Sequence, residues 1–326
     1  MNILVAGGAG YIGSHVVKML HDGGHGVTVL DDLSTGFRRL APWGTFVQGS
    51  TGDADLLDRI LGATRIDAIM HFAAFSQVGE SVVKPLAYYR NNVAATLTLI
   101  QAAIRHQVRH FIFSSTAAVY GEPVRVPIAE THPCAPTNPY GATKLTVERM
   151  LHDCAAAHDF QYGCLRYFNA AGADPSGRIG ELHDPETHII PLLLNVAGGA
   201  AEQFTVYGTD YPTADGTCIR DYIHVNDLAA AHVLVLKALM AHPGNRTYNL
   251  GNSKGYSVKE VIAETRRVTG RTIPVTERQR RAGDPAVLVA DSGKIRSELG
   301  WQPQYETLNA IIETAWRWHL KNHSGH

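Results

Sequence analysis

The chain has 326 residues, an apolar fraction of 45 %, a charged fraction of 18 % and a formal net charge of −1. That length suits one large or two coupled domains with a sizeable core, and a near-neutral balance without a basic stripe argues against a nucleic-acid partner. No apolar stretch approaches the roughly eighteen residues of a membrane span, and the first residues carry no charged leader, so a cytoplasmic protein without membrane partners is expected. Asn2 to Ala6 is a short apolar run, the pattern of a buried parallel strand. Gly7, Gly10 and Gly13 follow with the spacing G-x-x-G-x-x-G, and Val16, Val17 and Leu20 then recur at helical spacing. Strand, glycine turn and helix in that order form a dinucleotide site: the turn lets backbone approach a pyrophosphate, and the helix N-terminus faces its charge. Val27 to Leu30 is a second strand, ending in Asp31-Asp32 about eighteen residues past Gly13, near the spacing expected of a carboxylate on the adenosine ribose. A carboxylate there repels a 2′-phosphate, so NAD is expected rather than NADP.

Strand-like runs continue at 45–47, 68–72 and 111–113, with helical patterns between them, notably over 93–104. This alternation predicts an α/β fold, a Rossmann-type doubly wound parallel sheet. A helix from Tyr140 to about Ala157 leads into a strand over 162–167. After Asn169 the character changes: residues 170–187 are rich in Gly, Pro, Asp and His and read as an active-site loop. A helix over 191–197, a strand over 205–207, a strand over 220–225 and a helix over 226–240 follow. Ser257 to Glu260 is a capping box opening a further helix, and residues 308–320 form an amphipathic one. The expected division is an NAD-binding domain at 1–168, with a segment near 218–242 returning to it, and a smaller interleaved domain at 169–326 that mainly binds substrate. Cys134, Cys154, Cys164 and Cys218 show no C-x-x-C spacing and read as reduced thiols. The 17 histidines include no H-E-x-x-H or comparable pair, so no metal is expected.

Ser114-Ser115-Thr116 closes one strand, and Tyr140 and Lys144 follow at helical i,i+4 spacing, on one face one turn apart. An ammonium beside a phenol favours phenolate, below the usual value of about 10. A phenolate next to a hydroxyl is a general base for an alcohol, and the dinucleotide site supplies the hydride acceptor that oxidising an alcohol requires.

Several longer strings resemble the extended short-chain dehydrogenase/reductase family and, within it, the UDP-glucose (UDP-galactose) 4-epimerases. They are GGAGYIGSH from Gly7, HFAAFSQVGESVVKPLAYYRNNVAAT from His71, FSSTAAVYG from Phe113, NPYGATK from Asn138, RYFNAAG from Arg166, YGTDYPTADGTCIRDYIHV from Tyr207 and RRAGDP from Arg280. The resemblance covers essentially the whole chain. It implies Tyr140 as the base, Lys144 as the group that lowers its pKa, and Thr116 as the hydroxyl on the sugar oxygen. It implies NAD contacts from Gly7, Gly10, Tyr11, Ile12 and Gly13. Further NAD contacts would come from Asp31, Asp32, Leu33, Ser34, Thr35 and Gly36, from Ser50 and Thr51, from Phe72, Ala73, Ala74 and Ser76, and from Asn92, Ser114 and Phe168. On the UDP-sugar side it implies Asn169, Arg220 and Arg281 at the diphosphate, Asp284 at a ribose, Tyr207 near the uracil, and His188 and Leu288 in the substrate pocket. Ser50-Thr51 stands where many relatives have Asp and an aliphatic residue, Ser76 where some have Lys, and His188 where Asn is common.

The activity so implied is interconversion of UDP-glucose and UDP-galactose, as in galactose metabolism, by inversion at C4 through a 4-keto sugar. NAD would stay tightly bound and be regenerated each cycle. N-acetylated UDP-sugars remain open as substrates. The resemblance also implies a homodimer packed through helices near 88–104 and 140–157. Ala117 and Ala118 stand where 4,6-dehydratases carry an Asp-Glu pair, which argues against elimination. A nucleotide-sugar epimerase or decarboxylase acting on UDP-uronate, or a catalytically inactive NAD-binding regulator, are the competing readings.

Overall fold

Ile3 and Val5 face one side of the first strand and Leu4 and Ala6 the other, and all four are fully buried. Such a strand needs a layer of helices on each side, and the computed structural model, which describes residues 1–281 and 284–323, provides them. In chain order the first half runs β1 (Asn2–Ala6), α1 (Tyr11–Asp22), β2 (Gly26–Asp31), β3 (Thr45–Gln48), α2 (Ala54–Ala63), β4 (Ala68–His71), α3 (Val78–Val83), α4 (Pro85–Tyr88), α5 (Ala95–Arg105), β5 (His110–Thr116), α6 (Pro139–Ala157) and β6 (Gln161–Tyr167). The second half runs β7 (Asn169–Ala171), α7 (Ile189–Ala197), β8 (Phe204–Tyr207), β9 (Ile219–His224), α8 (Val225–Ala241), β10 (Arg246–Leu250), β11 (Gly255–Ser257), α9 (Val258–Thr269), β12 (Val275–Arg278), β13 (Val287–Leu288), α10 (Gly293–Leu299) and α11 (Leu308–His323).

The main sheet has seven strands in the order β10-β6-β5-β4-β1-β2-β3, and every pair is parallel. Its helices divide by face. Ile3, Val5, Val29 and Met70 pack with Val16, Val17 and Leu20 of α1 and Leu228, Val235 and Leu236 of α8. Leu4, Leu30, Ile69 and Phe111 pack with Leu57 of α2, Leu99 and Ile100 of α5, and Val147 and Leu151 of α6. The strand order reverses between β1 and β4, and a crevice opens outside the C-terminal ends of the strands at such a point.

The return of the chain to this sheet extends past residue 242, because β10 pairs with β6 from Arg246 to Leu250. β9 does not return with it; it is held between β7, β11 and β13 in a smaller mixed sheet. A third core joins α7, α9 and α11 through Leu193, Leu194, Val261, Ile262, Ile311 and Ile312. The helix expected from residue 93 begins at Ala95, because Tyr89–Ala94 form a π-helical turn. The predicted capping box is present, with Ser257 Oγ accepting from Glu260 N at 3.1 Å and Ser257 N donating to Glu260 Oε2 at 2.7 Å. All four cysteines are free. Among the described residues no helix is long and apolar enough to cross a membrane.

Candidate active site

The glycines after β1 have different reasons to be there. A Cβ on Gly7, whose φ is +79°, would strike the Ala73 backbone, and one on Gly13 would strike the Gly7 carbonyl. Both are packing glycines, set by the close approach of the turn to the β4 end and to its own helix. Gly10 is different: a Cβ there would meet only Gly7 O, at 3.4 Å, and otherwise project into the crevice. Gly10 is also the N-cap of α1 and offers no side-chain cap, so the first N–H groups of a twelve-residue helix are left for an anion in the crevice. This is the cradle a dinucleotide pyrophosphate requires, and the residues present fit NAD. Asp31 and Asp32 line the same end of the crevice with Ser34, Thr35, Gly36, Ser50 and Thr51. Asp31 has a second duty: Oδ2 accepts from Ala9 N at 2.8 Å and Oδ1 from Leu33 N at 2.9 Å, tying the glycine turn to β2. Burial nonetheless lifts its pKa above the usual carboxylate value.

The crevice continues toward the smaller sheet as one cleft, since Gly7, Gly10, Thr35, Phe72, Ala74 and Phe75 line both halves. Asn138 starts α6 by accepting from Gly141 N at 2.9 Å, with Pro139 at the first helical position. That start puts Tyr140 in the first turn and Lys144 one turn on. A Cβ on Gly141 would strike the Ala118 carbonyl, so the glycine lets this turn rest on the segment following Thr116. Thr116 Oγ1 accepts from Ala118 N at 3.1 Å, which leaves its own proton to donate.

Tyr140 is 9 % exposed and Lys144 2 %. Lys144 Nζ donates to Ser114 O at 2.7 Å and lies 6.0 Å from the Tyr140 ring centre. The expected phenolate is not what the protein's own groups produce. Burial pushes the Tyr140 pKa up, only partly offset by its hydrogen bond with Thr116. Burial also lowers Lys144 to about 7, against the pull of Glu148. The two groups stand one helical turn apart, but burial is the largest influence on each. An added positive charge beside the phenol is what favours its ionised form.

The far part of the cleft gathers from three segments. β13 pairs in parallel with β9, placing Leu288 opposite Arg220. Arg220 Nη2 donates to Asp284 Oδ1 at 3.1 Å, so its partner is Asp284, not the adjacent Asp221. The Asp221 carboxylate instead accepts from Asn252 N, Ser253 N and Ala290 N, and its burial raises its pKa to about 7. Asn169 donates to Asp221 O at 3.0 Å. Asn169, His188, Arg220, Asp284 and Leu288 all line the cleft.

Four expected residues do not line it. Leu33 turns into the main core with a φ of 60°. Asn92 is buried and acts at one remove: its amide exchanges hydrogen bonds with Phe75 N and O at 2.9 and 3.0 Å and donates to Thr143 Oγ1 at 3.1 Å, fixing the loop after β4 to α6. Arg281 stacks on Tyr207, its guanidinium 4.2 Å from the ring centre, and neither faces the cleft. The remaining expected residues are lining ones: Tyr11, Ile12, Ala73, Ser76, Ser114 and Phe168 join those already named. Phe75, inside the expected stretch 72–76, lines it too, whereas sequence reasoning missed Tyr88, Tyr167 and His183; their aromatic character carried no signal of position. It also missed a cluster of Glu181, His183, Glu186 and His188, where the carboxylates raise His183 to about 9 and His188 to about 10 and the imidazoles hold Glu186 to about 2.

Residues 3–251 match the model of the NAD dependent epimerase/dehydratase family. A UDP-glucose 4-epimerase of Halalkalibacterium halodurans is 53 % identical over 326 residues, covering 100 % of this chain and 98 % of that protein. The structure of UDP-glucose 4-epimerase from Brucella ovis in complex with NAD matches with a TM-score of 0.94 and 48 % identity over 97 % of each chain. That of UDP-glucose-4-epimerase from Stenotrophomonas maltophila, with bound NAD and formylated UDP-arabinopyranose, matches with a TM-score of 0.96 and 40 % identity over 100 % of each chain.

Proposed function

The chain belongs to the NAD-dependent epimerase/dehydratase family, and from that premise we propose that its cleft interconverts UDP-glucose and UDP-galactose by inverting C4 of the sugar. The chain is an epimerase that uses NAD and acts on a UDP-sugar. One arrangement supports the reading: Tyr140, Thr116 and Lys144 line the same cleft as the Gly10 cradle and the Arg220–Asp284 pair.

In this reading the N–H groups at the start of α1 hold the cofactor pyrophosphate, and Asp31 with Asp32 receives the adenosine ribose. The chemistry NAD would supply there is reversible hydride transfer at C4 of the sugar. Tyr140 takes the proton of the 4-hydroxyl and gives it back, and the Thr116 hydroxyl holds that oxygen in line. Lys144 contributes the positive charge that, with its partner on the cofactor ring, offsets the burial of the phenol. Arg220 suits the diphosphate, since its planar fork matches a pair of phosphate oxygens. The reaction requires a tight hold on the diphosphate and a looser one on the hexose, so that the sugar can present either face. Ala117 and Ala118 both line the cleft and offer no acid or base, which counts against a dehydratase.

Residues 1–168 would then serve the cofactor and 169–326 mainly the UDP-sugar, in a cytoplasmic enzyme. A second copy of the chain is expected on the helices near 88–104 and 140–157, and beside them Val82, Val83 and Leu86 of α3 and α4 are 61 %, 79 % and 79 % exposed. Light scattering behind a sizing column tests the homodimer. The activity is tested by incubating the protein, with no NAD added, with UDP-glucose, UDP-galactose and their N-acetyl forms. A mixture of C4 epimers from either member of the glucose pair is expected. No epimer even with NAD supplied, or a decarboxylated or dehydrated product, refutes the reading.

A further inference from the structure

Residues 181–188, between β7 and α7, read Glu-Leu-His-Asp-Pro-Glu-Thr-His. Glu181, His183, Glu186 and His188 each offer one ligand atom, and these atoms lie within 4.8 Å of one another. Glu181 Oε1 is 3.3 Å from His183 Nδ1 and 2.7 Å from His188 Nδ1. Glu186 Oε2 is 3.5 Å from His183 Nδ1, and its Oε1 is 3.4 Å from His188 Nδ1. Bonds of about 2.0–2.1 Å in tetrahedral geometry set ligand atoms about 3.4 Å apart. Three of the four separations match that value, and the fourth, between Glu181 Oε1 and His188 Nδ1, is shorter.

A second observation points to an occupant. The Glu181 side chain is 5 % exposed, yet its Oε1 has no hydrogen-bond partner, and neither does the buried Nδ1 of His183. The 2.7 Å approach of His188 is an ion-pair contact without hydrogen-bond geometry. A buried carboxylate oxygen without a donor is costly, and a cation between these atoms satisfies them together. The surroundings hold the ligands in place. Thr187 N and His188 N donate to Glu186 Oε1 at 2.7 and 2.8 Å, leaving Oε2 for the centre, and Trp318 Nε1 donates to Glu181 O at 2.9 Å. Outer partners of this kind orient metal ligands. Two carboxylates balance one divalent charge with both imidazoles neutral, and a two-nitrogen, two-oxygen donor set suits zinc rather than calcium or magnesium.

We propose that Glu181, His183, Glu186 and His188 bind one zinc-class divalent cation that fastens the 181–188 loop to the wall of the cleft. The site has four protein ligands, as structural zinc sites do, and its role is architectural. His183 and His188 both line the cleft, and the Tyr11 ring stands edge-on to His183 with centres 6.2 Å apart. The ion thus sets the position of His188 and of the side chain packed over the glycine turn. The spacing E-x-H-x-x-E-x-H belongs to no helix, so helical periodicity carried no sign of it.

The test reads metal, so its outcome is independent of the epimerase activity. The full chain is stripped with a chelator, dialysed and titrated calorimetrically with zinc chloride, and the metal retained after dialysis is measured by mass spectrometry. One equivalent per chain is expected. The double variant Glu181→Gln/His183→Gln should bind on the order of 100-fold more weakly or worse, since even outer partners are worth about 10–100-fold. Zinc should also raise the melting temperature of the wild-type chain and leave that of the variant unchanged. Should the variant not fold, cobalt chloride added to the stripped wild-type chain gives the readout: a tetrahedral visible band displaced by one equivalent of zinc. No stoichiometric zinc on the wild-type chain, retention of the equivalent by a folded double variant, or no displaceable cobalt band overturns the proposal.

Discussion

Glu148→Gln removes a charge on which three groups of the site depend. Arg166 Nε donates to Glu148 Oε1 and Oε2 at 2.9 and 3.2 Å, Ser115 Oγ donates to Oε1 at 2.5 Å, and Glu148 favours the charged form of Lys144 one turn away. The Arg166 and Glu148 side chains are 10 % and 9 % exposed, so the change leaves a guanidinium buried without its counter-charge. Breaking a buried pair in this way costs about 3–5 kcal/mol. With an unfolding entropy of about 2.1 cal/mol/K per residue, that cost lowers the melting temperature of the 326-residue chain by roughly 4–7 °C. Lys144 adds a pH signature. Its pKa falls from 10.5 to about 7 on folding, so between those values the folded state binds fewer protons than the unfolded chain and stability rises with pH. Glu148→Gln lowers the folded value further and extends that window downward. It also discharges Lys144 at lower pH, so the alkaline limb of kcat/KM should move down. In the double variant Glu148→Gln/Arg166→Gln stability should largely return, because no unpaired charge is left, while the displaced pH profile remains. Differential scanning calorimetry and pH-rate profiles read both effects. A single variant costing under about 1 kcal/mol, well below the range for a broken buried pair, or an unmoved alkaline limb, refutes the reasoning.

Tyr140→Phe should lower kcat by about 10²–10⁴-fold, the span of general acid–base catalysis, with UDP affinity unchanged by calorimetry; near wild-type turnover would remove Tyr140 from proton transfer. Asp31→Ala deletes the acceptor of two backbone bonds, each worth about 1.5–3 kcal/mol to a charged group, and should reduce both stability and the NAD found in the purified protein. A wild-type chain that purifies with NADP would show that these carboxylates do not select the cofactor. Leu288 lines the cleft and packs against the cluster of Ala117, Val119, Tyr120 and Ile128. Leu288→Tyr should over-pack that corner by about 1–3 kcal/mol, suppressing N-acetyl substrates about 10–200-fold while sparing UDP-galactose. Equal losses on both substrate types would mark Leu288 as packing alone.

Which parts of this site were legible in the sequence follows from the range of the interactions that build it. The glycine turn, the acids that close β2 and the i,i+4 pair of Tyr140 and Lys144 are local: each is set by residues within a few positions, and the structure has them on the elements that the spacing indicated. Arg220 is different. Its neighbour in sequence is Asp221, but the two side chains alternate across β9; Asp221 turns inward to three backbone N–H groups and Arg220 turns to Asp284. That pairing exists only because the two-residue strand β13 returns beside β9, a contact too short to leave a pattern. β10 was missed for a related reason: Arg246-Thr247-Tyr248-Asn249-Leu250 mixes polar and apolar residues, and Asn249, fully buried, is there because its side chain bonds Ile128 O and Tyr120 Oη. The Tyr140 phenol makes the limit plainest. Its proximity to Lys144 is a matter of helical spacing, but its pKa depends on how much water reaches it, which is decided by the loop after β4, by Gly141 against Ala118 and by the segments that return from the second half of the chain. Spacing can name an acid–base pair; only the enclosing fold sets its protonation, and here burial raises the Tyr140 pKa, so its ionised form calls for added positive charge. A bound cofactor with a cationic ring would supply that charge, and in the proposed reaction the burial that opposes phenolate would then tie activity to the bound cofactor.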